Sequence, residues 1–283
     1  MSSADWTLME FLRWTADFFK QHQVPQARLD AELLLAHVLG STRMDLYLAF
    51  DKPLGEADRA RYRELVRRRA KERVPVAYLV EQREFWSLPF RVTPDVLIPR
   101  PETETLVKVA LDQKPQRVLE IGVGSGCIAG ALARELASVE IVACDVSPAA
   151  LELARANLQA LGVLERVTLV EARDLAQVAG SFDLVVSNPP YVASGELAGL
   201  APELRHEPRV ALDGGPDGLD VIRQLCAEAP ARLARPGAIA FEIGAGQASQ
   251  VSELLRATGA AEVESFPDLA GIPRVMLAHY AES

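Results

Sequence analysis

Residues 117–129 of the chain read RVLEIGVGSGCIA, and this stretch decides the predicted fold. A short apolar run is followed by three glycines at alternate positions and then by residues that favour a helix. A strand, a glycine-rich turn and a helix in that order are typical of a βα unit that binds a nucleotide. Glycines let the backbone bend sharply and approach a ligand closely. The pattern is shared by NAD-binding and methyl-donor folds, so on its own it does not choose between them.

The next apolar run narrows the kind of ligand. Residues 139–145 read VEIVACD, so this predicted strand ends in Asp145. An acid about 20 residues beyond such glycines is placed to bind the hydroxyl groups of a ribose. The two stretches together predict a nucleoside ligand.

From residue 117 onward, predicted strands alternate with predicted helices. The strands cover 117–121, 139–145, 167–171, 182–187, 238–243, 261–266 and 274–279, and the helices 126–137, 148–162, 217–234 and 246–258. This alternation predicts a parallel sheet with helices on both faces. The last two strands have no helix between them, which indicates a terminal hairpin and an antiparallel final strand.

The rest of the chain divides by composition. Residues 1–75 show helical spacing of apolar residues and no good strand, residues 76–101 predict a β-hairpin linker, and residues 102–283 form the α/β domain. The segment 59–73 holds eight Lys or Arg against two Glu. It is interpreted either as a solvated helix face or as a docking surface for an acidic partner.

Composition excludes several classes of protein. The chain has 283 residues, of which 49% are hydrophobic, and a formal net charge of -9, which argues against a protein that grips nucleic acid over its whole surface. No apolar stretch approaches the ~20 residues of a membrane span, and the first residues lack a leader, so a cytoplasmic protein is expected. Cys127, Cys144 and Cys226 are widely spaced in apolar surroundings and the histidines are scattered, so no metal site is predicted.

Residues 182–191 read FDLVVSNPPY and predict a strand that ends in a clamp for a planar NH2 group. Prolines fix φ and lack an N–H, so Asn188 Oδ1 and the carbonyl of Pro189 can both accept hydrogen bonds from one nitrogen. Tyr191 offers a flat face above such a group. The alternative is an ordinary turn formed by two prolines.

Further stretches complete a family pattern. Residues 96–104 read VLIPRPETE, and EP at 207–208, GGPDGLD at 214–220, EIG at 242–244 and DLAGIPRV at 268–275 follow in order. With the glycine turn and the clamp, the chain resembles the class I S-adenosylmethionine-dependent methyltransferases. More narrowly it resembles the HemK/PrmC family, the glutamine methyltransferases of peptide chain release factors. The resemblance runs over nearly the whole chain.

The resemblance implies a fold and an activity. The fold is a Rossmann-like, mostly parallel seven-stranded sheet, preceded by a small all-helical domain that binds the release factor and joined to it by the hairpin linker. The activity is methyl transfer from S-adenosyl-L-methionine to the side-chain amide nitrogen N5 of the glutamine in a Gly-Gly-Gln motif. No metal, direct nucleic-acid partner or membrane is implied.

The resemblance also implies site residues. The methyl donor is expected to contact Glu120, Gly122, Val123, Gly124, Ser125, Gly126, Asp145, Asp174, Leu175 and Asn188. The substrate is expected to contact Asn188, Pro189, Pro190, Tyr191, Phe85, Phe90 and Arg100, with Asn188, Pro189 and Tyr191 as the catalytic residues.

Each assignment has a structural alternative. The alternative for Asp174 is to cap the N-terminus of a helix. The alternative for Phe85 and Phe90 is packing between the domains. Arg100 has a salt bridge to Glu102 or Glu104 as its alternative, and Glu242 is interpreted as a buried, paired structural carboxylate.

Other functions share parts of the pattern. An N6-adenine or N4-cytosine methyltransferase also clamps a planar NH2 group, but it needs a basic groove and a target-recognition insertion, which the sequence does not show. A glutamine methyltransferase of a ribosomal protein carries the same tetrapeptide, although residues 268–275 resemble the release-factor branch more closely. The non-enzymatic alternative is an inactive module that binds a nucleoside or a protein, and the intact glycines, Asp145 and Asn188 oppose it.

Overall fold

The computed structural model describes residues 6–281, which form two compact units. The first unit holds the described residues up to Gln82 together with Ala201–His206. The second holds Arg83–Leu200 and the described residues from Glu207 onward. The division falls at Gln82, inside the stretch predicted as a linker.

The first unit is helical. Its helices are α1 (Leu8–Gln21), α2 (Ala27–Leu39), α3 (Arg43–Leu48), α4 (Glu56–Lys71) and α5 (Val76–Leu79). Thr7 and Glu10 form a capping box at the start of α1, where each side chain accepts from the backbone N–H of the other residue. Gly40 ends α2 in the left-handed conformation at φ +59°, which glycine adopts without a steric cost.

Arg69 on α4 lies in an ion network inside this unit. The residue is 5% exposed, and its guanidinium donates to Asp30 Oδ2 at 2.7 Å and to Glu203 Oε1 at 2.8 Å. Arg73 also contacts Glu203, at 2.7 Å. Arg69 and Arg73 are therefore held in largely buried ion pairs within the unit, so the segment 59–73 is only in part a solvated face.

Replacing Arg69 with Met should destabilise the first unit. The change leaves Asp30, which is 3% exposed, buried without its hydrogen-bonded cation. Breaking a buried pair from one side costs about 3 kcal/mol of unfolding free energy, which urea titration followed by circular dichroism measures. Arg67→Met is the matched control on the same helix, because Arg67 is half exposed and its pairs with Glu64 and Glu72 should contribute less than about 1 kcal/mol. Equal losses in the two variants would contradict the assigned role of Arg69.

A β-hairpin begins the second unit. It consists of β1 (Gln82–Phe85) and β2 (Leu88–Arg91), and the turn residues Trp86 and Ser87 both have positive φ, at 52° and 56°. Positive φ at both central residues of a two-residue turn matches the right-handed twist of a hairpin. The backbone N–H of Trp86 donates to Glu104 Oε1 at 2.9 Å, which holds the turn against the next helix, α6 (Glu104–Asp112).

A seven-stranded sheet forms the body of the second unit. Its strands are β3 (Arg117–Ile121), β4 (Glu140–Asp145), β5 (Val167–Glu171), β6 (Phe182–Ser187), β7 (Leu233–Glu242), β8 (Glu262–Pro267) and β9 (Pro273–Tyr280). They lie in the order β5-β4-β3-β6-β7-β9-β8, and β9 pairs antiparallel with both of its neighbours, whereas the pairs from β5 to β7 are parallel. The predicted parallel sheet with an antiparallel final strand is thus confirmed.

Helices cover both faces of the sheet. The remaining ones are α7 (Cys127–Glu135), α8 (Pro148–Ala160), α9 (Asp220–Glu228) and α10 (Ala248–Ala257). One apolar cluster contains residues of α6, α7 and α8, and a second contains residues of α9 and α10. Burial on both faces explains why the central strands read as continuous apolar runs.

Three elements differ most from the sequence prediction. The helix predicted to reach residue 234 ends at Glu228, and β7 already begins at Leu233. The helix α6 was not predicted, because its sequence ETLVKVALD is short and its apolar residues fit a strand nearly as well as a helix.

The register of the sheet sets the position of the site. Ile121 at the end of β3 pairs with Cys144 on β4 and with Ser187 on β6. The glycine turn, Asp145 and Asn188 therefore leave the sheet side by side at its carboxyl edge, where ligands of open α/β sheets bind. None of the helices within residues 6–281 has both the length and the apolar composition that a bilayer span requires.

Candidate active site

The glycine turn wraps around the end of β4. Gly122, Gly124 and Gly126 all have positive φ, at 78°, 52° and 79°. The N–H of Gly122 donates to the carbonyl of Cys144 at 2.8 Å, and the N–H of Gly124 donates to Asp145 Oδ2 at 2.9 Å. A Cβ on Gly126 would lie 3.3 Å from the Cβ of a residue on α8, so this glycine also permits close packing of α8. The hydrogen bonds to Cys144 and Asp145 fix the glycine turn at the end of β4.

A cavity of about 320 Å³ lies at this edge of the second unit. Most of the residues predicted for the donor and for the substrate line it: Arg100, Glu120, Gly122, Val123, Gly124, Ser125, Asp145, Asp174, Leu175, Asn188, Pro189 and Pro190. Gly126, Tyr191, Phe85 and Phe90 do not belong to its wall. The fold thus gathers residues that are up to 90 positions apart in the sequence around one volume.

Glu120 is a carboxylate in the wall of the cavity that has no hydrogen-bond partner. It lies on β3, is 1% exposed, and neither Oε1 nor Oε2 is paired among the residues that the structure describes. Burial raises the pKa of Glu120 well above its ordinary value; the backbone amide of Ala129 lowers it, and the charge of Asp145 raises it. An unpaired buried carboxylate is costly unless a cation meets it, so this wall suits a positively charged ligand group.

Two aspartates stand at the ends of the next strands. Asp145 accepts from the backbone N–H groups of Gly124 and Ser147, both at 2.9 Å, and still borders the cavity. Asp174 also borders the cavity, and its Oδ1 accepts from the N–H of Ala176 at 2.7 Å. The predicted alternative for Asp174, a cap at the start of a helical turn, is therefore present together with its position at the cavity.

Asn188 stands where β6 ends. Its Nδ2 donates to Thr103 Oγ1 at 3.1 Å, which leaves Oδ1, an acceptor, as the remaining polar atom of the side chain. The hydroxyl of the preceding Ser187 donates to the carbonyl of Ile121 at 2.7 Å and so fastens the end of β6 to the end of β3. Pro189 follows Asn188 along the cavity wall.

Tyr191 does not lie where the sequence predicts, above the acceptor group at the cavity. The ring is not part of the cavity wall, and its hydroxyl donates to Glu242 Oε1 at 3.3 Å. Burial raises the pKa of Tyr191 above its ordinary value, and the charge of Glu242 raises it further. This position gives Tyr191 a contact with a buried carboxylate and does not support a ring that covers the acceptor group.

Glu242 at the end of β7 is 1% exposed. Burial raises its pKa to about 7, whereas the nearby Thr103 and Tyr191 hydroxyl groups and the charge of Arg274 lower it and the charge of Glu102 raises it. Its Oε1 accepts from Tyr191, and its Oε2 has no partner within residues 6–281. Glu242 is therefore buried, as its interpretation as a structural carboxylate predicts, but it is paired at one oxygen only within the described residues.

Arg100 borders the cavity and pairs with an acid that the sequence did not indicate. Its Nη2 donates to Glu207 Oε1 at 2.5 Å, and the second oxygen of Glu207 accepts from the backbone N–H of Ile98 at 3.1 Å. The predicted alternative was a salt bridge to Glu102 or Glu104. The partner is 107 residues away along the chain, and the two contacts fix the segment 98–100 at the cavity.

Phe85 and Phe90 require a correction. Both are buried, at 2% and 0% exposure, and their rings pack against each other at 6.2 Å between centroids. They belong to an apolar cluster of the second unit and not to the cavity wall, so the structure gives them a packing role and does not support the predicted contact with substrate. Alternation along the hairpin places both rings on its buried side.

The sequence did not predict several residues in or next to the cavity wall, among them Thr103, Glu207 and Val210. Thr103 bonds to Asn188, Glu207 holds Arg100, and Val210 lines the cavity although it is 62% exposed. Thr103 and Glu207 lie within the family stretches PRPETE and EP, and these motifs are the sequence features that could have identified them as site residues. Within residues 6–281, no group of His, Cys, Asp and Glu has an arrangement that holds a metal ion.

The chain is similar to known proteins in sequence and in fold. Residues 10–80 match the model of the PrmC N-terminal domain, and residues 101–215 match that of the methyltransferase small domain. Over 96% of its length the chain is 45% identical to a release factor glutamine methyltransferase of Geobacter sulfurreducens, and it covers 96% of that protein. A protein with the same name from Rhodopirellula baltica is 42% identical over 96% of this chain and 95% of its own length. The crystal structure of a methyltransferase from Pyrococcus furiosus superposes with a TM-score of 0.54, at 19% identity over 69% of this chain and 90% of that one.

The strand order, the glycine turn and the cavity at the sheet edge define a class I methyltransferase. The sequence identity to relatives over almost the whole length of the chain identifies one family within this class. The chain belongs to the family of release factor glutamine methyltransferases.

The raised pKa of Glu242 predicts a pH-dependent stability difference. Because the folded chain holds this proton more tightly than the unfolded chain, the stabilisation is complete below the ordinary value of 4.5 and is lost as the pH rises through about 7. Glu242→Gln has no proton to lose, so the unfolding free energy of the unmodified chain relative to this variant should fall by roughly 3 kcal/mol between pH 4.5 and pH 7. Urea titrations of both proteins at a series of pH values measure this. A difference that is constant with pH would show that the Glu242 pKa is not raised.

Proposed function

We propose that this chain transfers a methyl group from S-adenosylmethionine to the side-chain amide nitrogen of the glutamine in the Gly-Gly-Gln motif of peptide chain release factors. The observation that carries the proposal is the position of Asn188. Its amide nitrogen is bound to Thr103, so its amide oxygen is the acceptor left for a substrate NH2 group at the cavity that Glu120 also lines. Family membership supports the same reaction.

The residues present fit the donor. When bound, S-adenosylmethionine supplies a methyl group on a positively charged sulfur, and it carries an ammonium group as well. Glu120 offers an unpaired buried carboxylate to the positive methionine part. Gly122 and Gly124 let the backbone approach it, and Asp145 stands at the end of β4, where a ribose is bound in folds of this type. Asp174 and Leu175 are proposed to contact the adenine.

The acceptor sets the chemical difficulty. An amide nitrogen shares its lone pair with the carbonyl group and is a poor nucleophile, so the site has to orient it and stabilise the positive charge that develops on it. Asn188 Oδ1 and the carbonyl of Pro189 are proposed to accept from the two N–H groups of the glutamine. The hydrogen bond to Thr103 holds Asn188 before substrate binds, and acceptors that are already in place are the condition for electrostatic stabilisation of a transition state.

The identity of the partner rests on the relatives. The helical domain, residues 1–75 in the sequence prediction, is proposed to bind the release factor, and the linker 76–101 to connect it with the methyltransferase domain. A release factor acts with the ribosome, so a cytoplasmic location is proposed. No metal and no direct contact with nucleic acid or membrane is part of the proposed reaction.

Glu120→Gln tests the donor site. We expect the affinity for S-adenosylmethionine to fall about tenfold to hundredfold, because a charge-assisted contact in a buried site contributes about 1.5–3 kcal/mol. Isothermal titration calorimetry measures the dissociation constant. Glu140→Gln is the matched control: Glu140 begins the neighbouring strand at the opposite edge of the sheet and its side chain is 79% exposed, so affinity should not change. Unchanged affinity in Glu120→Gln would contradict the donor assignment.

Labelling tests the substrate and the clamp together. Isotope-labelled S-adenosylmethionine is incubated with intact release factor, with the factor carrying Gln→Ala in its Gly-Gly-Gln motif, and with DNA, and mass spectrometry locates the label. We expect label only on that glutamine. The Asn188→Ala enzyme should be roughly a hundredfold slower, equivalent to about 3 kcal/mol, since one fixed acceptor is lost.

Each other outcome has a defined meaning. Label on DNA identifies a nucleic-acid methyltransferase, and equal label on the mutated factor places the reaction elsewhere on the protein. Donor binding without any turnover identifies a binding module. Transfer to a ribosomal protein but not to release factor assigns the other glutamine-methylating branch.

A further inference from the structure

The side chain of Gln247 joins three loops at the carboxyl edge of the sheet. Gln247 precedes α10 but its side chain makes no capping bond to that helix. Its Oε1 accepts from the N–H of Gly244 at 2.8 Å, and its Nε2 donates to the carbonyl of Tyr191 at 3.1 Å and to that of Gly218 at 3.2 Å. Gly244 follows β7, Tyr191 follows β6 and Gly218 precedes α9. One side chain therefore ties together three segments beyond the ends of the strands.

The partners of Gln247 allow its amide a single orientation. A backbone N–H can only donate a hydrogen bond, and a backbone carbonyl can only accept one. Gly244 presents an N–H, whereas Tyr191 and Gly218 present carbonyls. A flipped amide would turn its oxygen towards two carbonyls and its NH2 group towards an N–H, so it would lose all three hydrogen bonds. Both ends of the amide are thus needed for the connection.

The predicted clamp has few means of fastening its own backbone. Pro189 and Pro190 have no N–H, so neither residue can donate a hydrogen bond to a neighbouring loop. The carbonyl of Tyr191, the next residue, accepts from Gln247. Because the proline rings fix φ at two consecutive positions, the backbone between Asn188 and Tyr191 has fewer rotations with which to absorb a displacement. A shift of Tyr191 is therefore passed on to the clamp.

The loop of residues 214–218 packs directly against the same backbone. A Cβ on Gly214 would lie 2.8 Å from the carbonyl oxygen of Pro190, closer than a real Cβ approaches another atom. A Cβ on Gly218 would overlap the carbonyl oxygen of Tyr191. Glycine at both positions lets the loop touch the clamp backbone, and Gln247 fastens the loop there through the Gly218 carbonyl.

We propose that Gln247 is a positioning residue for methyl transfer: it holds Tyr191 against the loop 214–218 and the end of β7, and so keeps Asn188 and Pro189 in place for the substrate amide. Gln247 does not belong to the cavity wall, so it acts through the clamp and not by contact with donor or substrate. The inference rests on the proposed function, since it assigns a role in that reaction.

Gln247→Met tests the proposal, because methionine has a similar length and cannot make the three hydrogen bonds. We expect kcat for methylation of release factor to fall about tenfold, since displacing a reacting group by about 1 Å can cost a hundredfold. The KM for release factor and the dissociation constant for S-adenosylmethionine should change less than about threefold, because Gln247 contacts neither. Gln250→Met is the matched control, a glutamine that is exposed on α10, and it should keep the kcat of the unmodified enzyme.

Gln247→Glu separates hydrogen bonding from shape. Glutamate has the size of glutamine, but at pH 8 its carboxylate is ionised and has no hydrogen to donate to the carbonyls of Tyr191 and Gly218. We expect its kcat to be as low as that of Gln247→Met. All kcat values are expressed per donor-binding site, counted by calorimetry, so that an unfolded fraction does not lower them. Full kcat in either variant would overturn the proposal.

A change in the loop should have the same effect as a change in Gln247. Gly218→Ala places a methyl group on the carbonyl of Tyr191 and should lower kcat per donor-binding site. Gly259→Ala is its control, because Gly259 also has a positive φ, at 91° against 77°, but has nothing within 4 Å of its Cβ position. Equal kcat in these two variants would contradict the role given to the loop.

A measurement without substrate distinguishes failure of this inference from failure of the proposed function. Gly244 donates its N–H to Gln247, and Gly214 donates its N–H to the carbonyl of Val192 at 2.9 Å, next to Tyr191. Hydrogen exchange of both N–H groups, followed by NMR, should be at least several-fold faster in Gln247→Met than in the unmodified protein or Gln250→Met. Equal exchange in all three would overturn the inference whether or not release factor is the substrate. Failure of the proposed function appears instead as an unmodified enzyme that does not methylate release factor.

Discussion

The hydrogen bond from Asn188 Nδ2 to Thr103 Oγ1 is the contact on which the catalytic account depends. It fixes the Asn188 side chain at the carboxyl edge of the sheet and leaves Oδ1 as the acceptor. Pro189 lines the cavity beside Asn188, and its carbonyl is proposed as the second acceptor. For a poor nucleophile such as an amide nitrogen, acceptors that are already in place lower the barrier without a reorganisation cost during the reaction.

The parallel sheet makes this arrangement possible. Neighbouring strands end at the same edge, so β3 delivers Glu120 and the glycine turn, β4 delivers Asp145, and β6 delivers Asn188. The same geometry has an electrostatic cost. Burial raises the pKa of Glu120 well above its ordinary value and that of Glu242 to about 7, so both carboxylates lower the stability of the folded chain as they ionise. Glu120 lines the cavity, and a buried carboxylate with a raised pKa at a cavity is the pattern expected of a functional site.

The sequence predicted the sheet because its strands are strong local signals. Residues 117–121 and 182–187 are mostly apolar and have glycine or proline within two residues of each end, and Asp145 follows the glycine turn at the expected spacing. Residues whose roles depend on distant partners were harder to assign. Glu207 pairs with Arg100, 107 positions away, and Thr103 bonds to Asn188, 85 positions away. Contacts over such distances leave no periodic pattern in the sequence from which they could be predicted. Phe85 and Phe90 are predicted to contact the substrate because their stretch lies near the pocket, but the sequence does not show which way a ring points. In the structure both rings pack in the apolar core.

A crystal structure with S-adenosylhomocysteine and a Gly-Gly-Gln peptide bound tests the central claim most directly. We expect the glutamine side-chain nitrogen within about 3.2 Å of both Asn188 Oδ1 and the Pro189 carbonyl oxygen, the upper distance for a hydrogen bond between nitrogen and oxygen. We also expect Asn188 to keep its contact with Thr103 in that complex. A glutamine nitrogen bound by other groups, with Asn188 turned away from it, would contradict the account.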